Sequence, residues 1–270
     1  LPIFQQVGLE LCDELEKTFS GISGEMPFTR RAPQALQEQW KKDGIAPRGA
    51  MLEVMEMMSR SHIGCDQDYN NLMKQISRTA LADGWGGSMV ATELSDIMFG
   101  TPSPTLADVN MGVLKEDHVN VIVHGHEPAM FEGMLAAVND PFFVEEARSK
   151  GAKGINLVGM CCSGAEMMSR HGVPHAGNFG STEAIMVTGA VDAMVVDIQC
   201  IKQGLAEVAR CYDTHLITTN DRAHIEGATH IEFDDHDPRA CTDQILSKAI
   251  ARFGSRKMPI EIPRQVQKGV

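Results

Sequence analysis

At 270 residues the chain can hold one large or two ordinary domains, and a hydrophobic content of 43% excludes a disordered segment. A formal net charge of −12, with no basic run to offset it, argues against nucleic acid or an anionic membrane surface as partner. No stretch approaches the roughly 18 uninterrupted apolar residues of a membrane span, so none is expected.

The opening segment LPIFQQVGLELCDELEK has no basic n-region and no cleavage pattern. With an odd count of seven cysteines this points to a reducing, cytoplasmic setting, in which thiols are buried or bind metal rather than pair. The segment also lacks an initiator Met and opens inside a helical pattern, so a longer parent polypeptide is expected.

In chain order, residues 1–104 read as a helical region. Ile3, Val7, Leu11, Leu15 and Phe19 keep a four-residue step over 3–19, and GISGEMP then breaks it. A short helix over 33–42 can take Pro33 as its first position, and 49–61 is a Met- and Glu-rich helix. Asp66 is placed to cap a helix over about 67–82. ADGWGGS (82–88) reads as an interruption before a helix over 89–99, and GTPSP (100–104) closes the region.

Residues 105–270 read as a Rossmann-like α/β domain built on a parallel sheet. Three short, β-branched apolar runs, VNVIVHGHEP (119–128), GINLVGMCCSG (154–164) and AMVVDIQC (193–200), have the character of strands buried on both faces. Helical patterns follow at 129–138, 142–150, 165–171, 182–188 and 201–210. Further strands are expected at about 214–219 and 229–233, a helix at 240–253, and a basic, loop-like tail from Ser255. GVPHAGNFG (172–180) reads as a Gly-rich loop without the GxGxxG spacing, and no Walker, GxSxG or HExxH motif occurs.

Right-handed crossovers make the three runs parallel, so their C-terminal ends share the sheet edge where α/β folds bind ligands. That edge receives His124, His126, Cys161, Cys162 and Cys200. Any one Cys or His at a strand end is usually core or a backbone partner. Three consecutive strands delivering a soft donor to one edge is a different matter: thiolates with an imidazole suit iron–sulfur, nickel or zinc. A catalytic Cys–His pair is also open, since a thiolate at a helix N-terminus has a depressed pKa.

HGHEP (124–128), GMCCSGAE (159–166), NFGSTEA (178–184) and DIQC (197–200) resemble the anaerobic nickel–iron carbon monoxide dehydrogenases. ADGWGGSM (82–89), FGTPSP (99–104) and MGVLKEDHVN (111–120) carry the same resemblance. TRRAP (29–33) with HIGCDQDY (62–69) looks most like the catalytic subunit that partners acetyl-CoA synthase. The similarity runs from about residue 25 to 254. It implies an oxidoreductase that converts CO and water to CO2, two protons and two electrons at a nickel–four-iron cluster, cluster C. It assigns His126 and Cys162 to the pendant iron and Cys200 to the cubane, with His124 and Cys161 the less fitting neighbours. Asp83 is the candidate proton or hydrogen-bonding group, with a plain turn residue as its bland reading. An electron carrier such as ferredoxin, a homodimeric parent and an acetyl-CoA synthase partner are implied as well.

The resemblance also implies parts this chain does not match: three more cluster cysteines, a catalytic lysine, an acid–base histidine, and the cysteines of further 4Fe–4S clusters. The chain is therefore expected to be a central fragment, inactive alone. Cys12, Cys65, Cys211 and Cys241 are expected to be structural, and His118, His171, His175, His224, His230 and His236 solvated or hydrogen-bonded. Alternatives from other classes are a hybrid-cluster-type protein, a nucleotide-holding or assembly module, and a zinc site of His126, Cys162 and Cys200 completed by water.

Overall fold

The computed structural model describes residues 2–21 and 24–269. Ile22 and Ser23, inside the GISGEMP break, lie outside the described residues. The chain forms two compact units that divide between Thr101 and Pro102.

The first unit is helical: α1 (Pro2–Ser20), α2 (Gln34–Asp43), α3 (Ala50–Arg60), α4 (Tyr69–Ala82) and α5 (Met89–Phe99). Its apolar centre is small, with Leu11, Phe28 and Val90 buried and Leu15, Leu94 and Ile97 packed against them. Only the middle of the α1 apolar stripe is therefore covered within this unit; Ile3 and Val7 are exposed. A polar tie compensates. Glu53 on α3 is fully buried and accepts from Arg48 Nε (2.9 Å), Gln75 Nε2 (2.9 Å) and Arg78 Nε (3.2 Å).

Local chemistry corrects three sequence expectations here. Asp68, not Asp66, caps α4 by accepting from Asn70 N–H at 2.9 Å, while Asp66 accepts from Asp68 N–H at 3.1 Å in an Asx turn. Pro33 is the N-cap of α2 rather than its first residue, because its ψ of 137° is extended. ADGWGGS does not interrupt the helix: Asp83–Ser88 winds as a π-helical turn that joins α4 to α5. The glycines leave room for the wider turn, and Gly86 is buried against Met26, Thr18 and Ala50. Such π turns occur frequently at functional sites.

The second unit is an eight-stranded sheet. Its strands are β1 (Ala107–Val109), β2 (Val119–Gly125), β3 (Ile155–Met160), β4 (His175–Gly177), β5 (Val191–Val196), β6 (His215–Thr218), β7 (Thr229–His230) and β8 (Gln267–Gly269). They lie in the order β7-β6-β5-β2-β3-β4-β1-β8, all parallel except β8 against β1. Helices α6 (Pro128–Val138), α7 (Pro141–Ser149), α8 (Cys161–His171) and α11 (Pro238–Phe253) cover one face with Met130, Phe131, Met134, Met167 and Ile245. Helices α9 (Thr182–Val187) and α10 (Leu205–Tyr212) cover the other with Ile185, Met186 and Leu205. Every residue of β2 and β5 is buried, as continuous apolar runs at the centre of a doubly wound sheet require. Many of the buried side chains are Met, which fill irregular space between the layers.

Several boundaries move for stated reasons. α8 begins at Cys161, directly at the end of β3, rather than near 165. α10 begins at Leu205 rather than 201, because Gln199 (φ 61°) and Cys200 (φ 53°) are left-handed and residues 201–204 must redirect the chain. The segment 172–180 contains β4, and the tail from Ser255 ends in β8; both strands are three residues long and too short to show a period. Below the sheet, Asp192 at the start of β5 is buried and accepts from Asn120 N–H and Arg256 Nε, each at 2.8 Å.

Candidate metal centre

After β2 the chain runs outward to β3 and β4, then returns to place β5 on the other side of β2. The reversal between β2 and β5 is the topological switch point, where the two halves of the sheet diverge and leave a crevice at the strand C-termini. His124 and Gly125 end β2, Cys161 follows β3, and Cys200 follows β5 by four residues. An isolated parallel bridge between Gly125 and Cys161 extends the β2–β3 pairing to the crevice lip.

α8 can start at once because of two glycines. A Cβ added to Gly159 would stand 2.4 Å from Gly164 Cα, and one added to Gly164 would stand 2.5 Å from Gly159 C. The backbones of β3 and α8 thus touch, which tucks Cys161 and Cys162 against the strand end. Cys162 and Cys200 are exposed there, and Cys161 and His126 are half-buried.

Backbone conformation at the lip is unusual. Among the described residues, five non-glycine positions have positive φ, and Cys161 (57°), Gln199 and Cys200 are three of them. A left-handed residue with a Cβ costs about 1–2 kcal/mol, so other contacts must hold these. Histidines supply two: His124 Nε2 donates to Cys200 O at 2.7 Å, and His175 Nε2 donates to Cys161 O at 3.1 Å. His124 is fully buried, its Nδ1 has no partner, and burial pushes its pKa down, so the ring is neutral. With Nε2 committed to Cys200 O, His124 braces the backbone of that position from within the core. His126 is arranged the other way: Nδ1 donates to Ile198 O at 3.3 Å, which leaves the Nε2 lone pair for a metal.

Burial pushes the Cys161 thiol up to about 11, with the Cys200 charge adding to it and the Phe179 N–H opposing. Burial also raises Cys162, followed by the charges of Cys200, Glu166 and Asp197. Thiols that burial keeps protonated need a cation to hold them as thiolates. The donor set therefore fits a soft metal or metal–sulfur cluster. Among the described residues no three His, Cys, Asp or Glu side chains are grouped closely enough to hold one metal ion.

One group here escaped the reading from sequence. Asp197, fully buried, follows β5 and accepts from His126 N–H (2.6 Å), Glu127 N–H (3.1 Å), Ile198 N–H and Ser163 Oγ (3.2 Å). Burial raises its pKa, against those four bonds. Gly125 (φ 147°) makes room: a Cβ there would lie 1.5 Å from Asp197 Oδ1. The signal available in the sequence was an acidic residue directly after the apolar run AMVV, opposite a glycine in HGH.

Asp83 belongs to the helical unit, where it is exposed at the first position of the π turn. Cys12, Cys65 and Cys211 are exposed, while Cys241 is buried in the α11 core, its thiol pushed up to about 12 by burial. His118 pairs with Asp117, His171 with Glu132 and His230 with Thr218, and His224 stacks on His230.

A doubly wound parallel sheet with soft donors gathered at its switch point defines a Rossmann-like α/β protein with a metal-type edge. The chain belongs to the Prismane/CO dehydrogenase family, whose model matches residues 5–269. It is 44% identical over 264 residues to carbon monoxide dehydrogenase 1 of Methanosarcina acetivorans, covering 97% of this chain and 42% of that protein. The carbon monoxide dehydrogenase of Thermococcus sp. AM4, solved as isolated and nickel-free, superposes with a TM-score of 0.92 at 43% identity, covering 96% of this chain and 41% of that one. An acetyl-CoA synthase/carbon monoxide dehydrogenase with NiZn[Fe4S4] and NiNi[Fe4S4] clusters in its alpha subunits superposes at 0.89 and 37% identity, covering 96% and 39%. The chain thus spans about two fifths of the length of these relatives. Among the described residues no helix is long and apolar enough to cross a membrane.

Proposed function

We propose that this chain supplies part of the catalytic centre of an anaerobic carbon monoxide dehydrogenase, an oxidoreductase that converts CO and water to CO2, two protons and two electrons. His126, Cys162 and Cys200 would be its ligands to a nickel–iron–sulfur cluster of the Ni-4Fe-4S type, on the α/β part over 105–270, with 1–104 as the helical part. The observation that carries the reading is the meeting of imidazole and thiols at the ends of three adjacent parallel strands, in a chain whose relatives are named carbon monoxide dehydrogenase.

When bound, such a cluster supplies a redox centre at which the carbon of CO can take up oxygen from water. The chain's own residues prepare the place. His126 offers Nε2 because Nδ1 is tied to Ile198 O. Cys162 and Cys200 give up thiol protons on binding, so loading releases protons. His124, fully buried, holds the Cys200 carbonyl by donating from Nε2. Asp83 is the proposed proton-handling carboxylate, a role supported by its exposed place at the head of a π turn.

The remaining ligands and the further 4Fe–4S clusters that carry electrons away belong, in this reading, to parts of the parent outside this chain. A homodimeric cytoplasmic parent, passing electrons to a carrier such as ferredoxin and working alone or with acetyl-CoA synthase, completes it. The test is iron, sulfide and nickel analysis of protein purified without oxygen. In the full-length parent, stoichiometric iron and sulfide that disappear in Cys162→Ala, Cys200→Ala or His126→Ala are expected, whereas this chain alone, without the remaining ligands, should hold little or none. One zinc per chain with no sulfide would replace the cluster by a simple metal site.

A further inference from the structure

We propose that Asp197 is the positioning residue of this metal centre: one buried carboxylate ties the three ligand-bearing segments into a single unit. The inference rests on the reading of His126, Cys162 and Cys200 as ligands, and it concerns how they are held. Each of the three segments leaves a different strand, those of His126 and Cys200 as loops and that of Cys162 as the first turn of α8, and strand pairing ends before the ligands are reached. Something beyond the sheet must set their mutual positions.

Asp197 touches all three. Oδ1 accepts from the backbone N–H of His126, and of Ile198 on the way to Cys200. Oδ2 accepts from Glu127 N–H and from the hydroxyl of Ser163, the neighbour of Cys162. The backbone joins in, since Asp197 N–H donates to His124 O at 3.2 Å. The cradle is made for a carboxylate, because Gly125 opens the volume its oxygens fill and every partner is a donor. An amide could serve only half of them. Asn at 197 keeps one oxygen and turns an NH2 toward N–H groups that need an acceptor. Outer partners of this kind orient metal ligands without touching the metal.

The experiment compares Asp197→Asn and Ser163→Ala with Asp192→Asn, in the full-length parent protein purified without oxygen. Asp192 is the control: it is equally buried, but it lies at the start of β5 whereas Asp197 follows the strand's end, and it is paired with Arg256. Segment-resolved amide hydrogen exchange is read on the metal-free protein; iron, sulfide and the electron paramagnetic resonance signature are read on the protein as isolated. In Asp197→Asn, exchange should rise by about tenfold, as expected for a lost charged hydrogen bond, in 126–127, 161–164 and 198–200 together. Metal affinity should fall by roughly 10- to 100-fold. Ser163→Ala should loosen 161–164 alone, with a smaller metal loss, and keeps the question decidable if Asp197→Asn does not fold. Asp192→Asn should lower the melting temperature and keep both metal and signature.

Exchange that rises only beside residue 197, or metal lost equally in Asp192→Asn, would overturn the positioning role. Wild-type full-length parent without iron or sulfide would instead remove the cluster reading, while the exchange data still decide whether Asp197 joins the three segments.

Discussion

Cys161 and Cys200 show how single residues are held in costly conformations where chemistry is expected. Both are left-handed, and each has its carbonyl caught by a histidine from elsewhere in the fold. Glycine would take the same backbone without the Cβ clash, whereas alanine would keep it. Replacing either cysteine by glycine should therefore leave the metal-free protein about 1 kcal/mol more stable than the alanine variant at the same position. Chemical denaturation of the two pairs measures this directly. Equal midpoints for the glycine and alanine forms would mean that the histidine bonds, not the left-handed backbone, dominate the local energy. At Cys200 the more stable glycine variant should still lose iron, which separates the conformational role of the position from its thiol.

The elements that carry the site owe their placement to a few close approaches. α8 lies on β3 with Gly159 and Gly164 backbone to backbone, so Gly164→Ala must push the helix start outward. Overpacking of this kind costs about 1–3 kcal/mol, and here the displaced part carries Cys161 and Cys162. The expected outcome is a folded protein with a lowered melting temperature and a larger loss of bound iron than Gly8→Ala, a helical position where a Cβ meets nothing. Retention of full iron in Gly164→Ala would place the controlling contact elsewhere. These facts also explain what the sequence could reveal. β2, β3 and β5 are legible because strands buried on both faces must be continuously apolar, and their parallel order follows from the helices between them. The common edge follows from that order. The π turn is not legible, since DGWGGS has the composition of a chain break and only tertiary packing around Gly86 makes it helical. Nor is Asp197, because its donors come from three distant segments and no local spacing encodes them. β1, β4 and β8 pass unnoticed because three residues cannot display an alternation.

Across the whole molecule the two units are stabilised by different means, and this can be read separately in each. The α/β unit has two continuous apolar layers, whereas the helical unit has a small apolar cluster and a buried ionic knot at Glu53. Burial pushes the Glu53 carboxyl up, but hydrogen bonds from Arg48 and Gln75 outweigh it and hold the pKa below 4.5. A carboxylate with a depressed folded pKa adds stability that is complete above its unfolded value, near 4.5, and is lost as pH falls through the folded value. Both tryptophans, Trp40 and Trp85, lie in the helical unit with ring centres 5.9 Å apart, so selectively excited tryptophan fluorescence reports that unit alone. Fluorescence-detected melting should be nearly flat from neutral pH down to about 5 and fall steeply below about 4.5. Glu53→Gln leaves Arg48 and Arg78 facing an uncharged, buried group. It should cost about 3–5 kcal/mol at neutral pH and flatten the acid limb, with Glu56, held low by its bond to Arg48, keeping the residual slope. Wild type and Glu53→Gln with parallel acid limbs would show that the knot contributes nothing to the pH dependence, and that the small apolar cluster holds the helices without it.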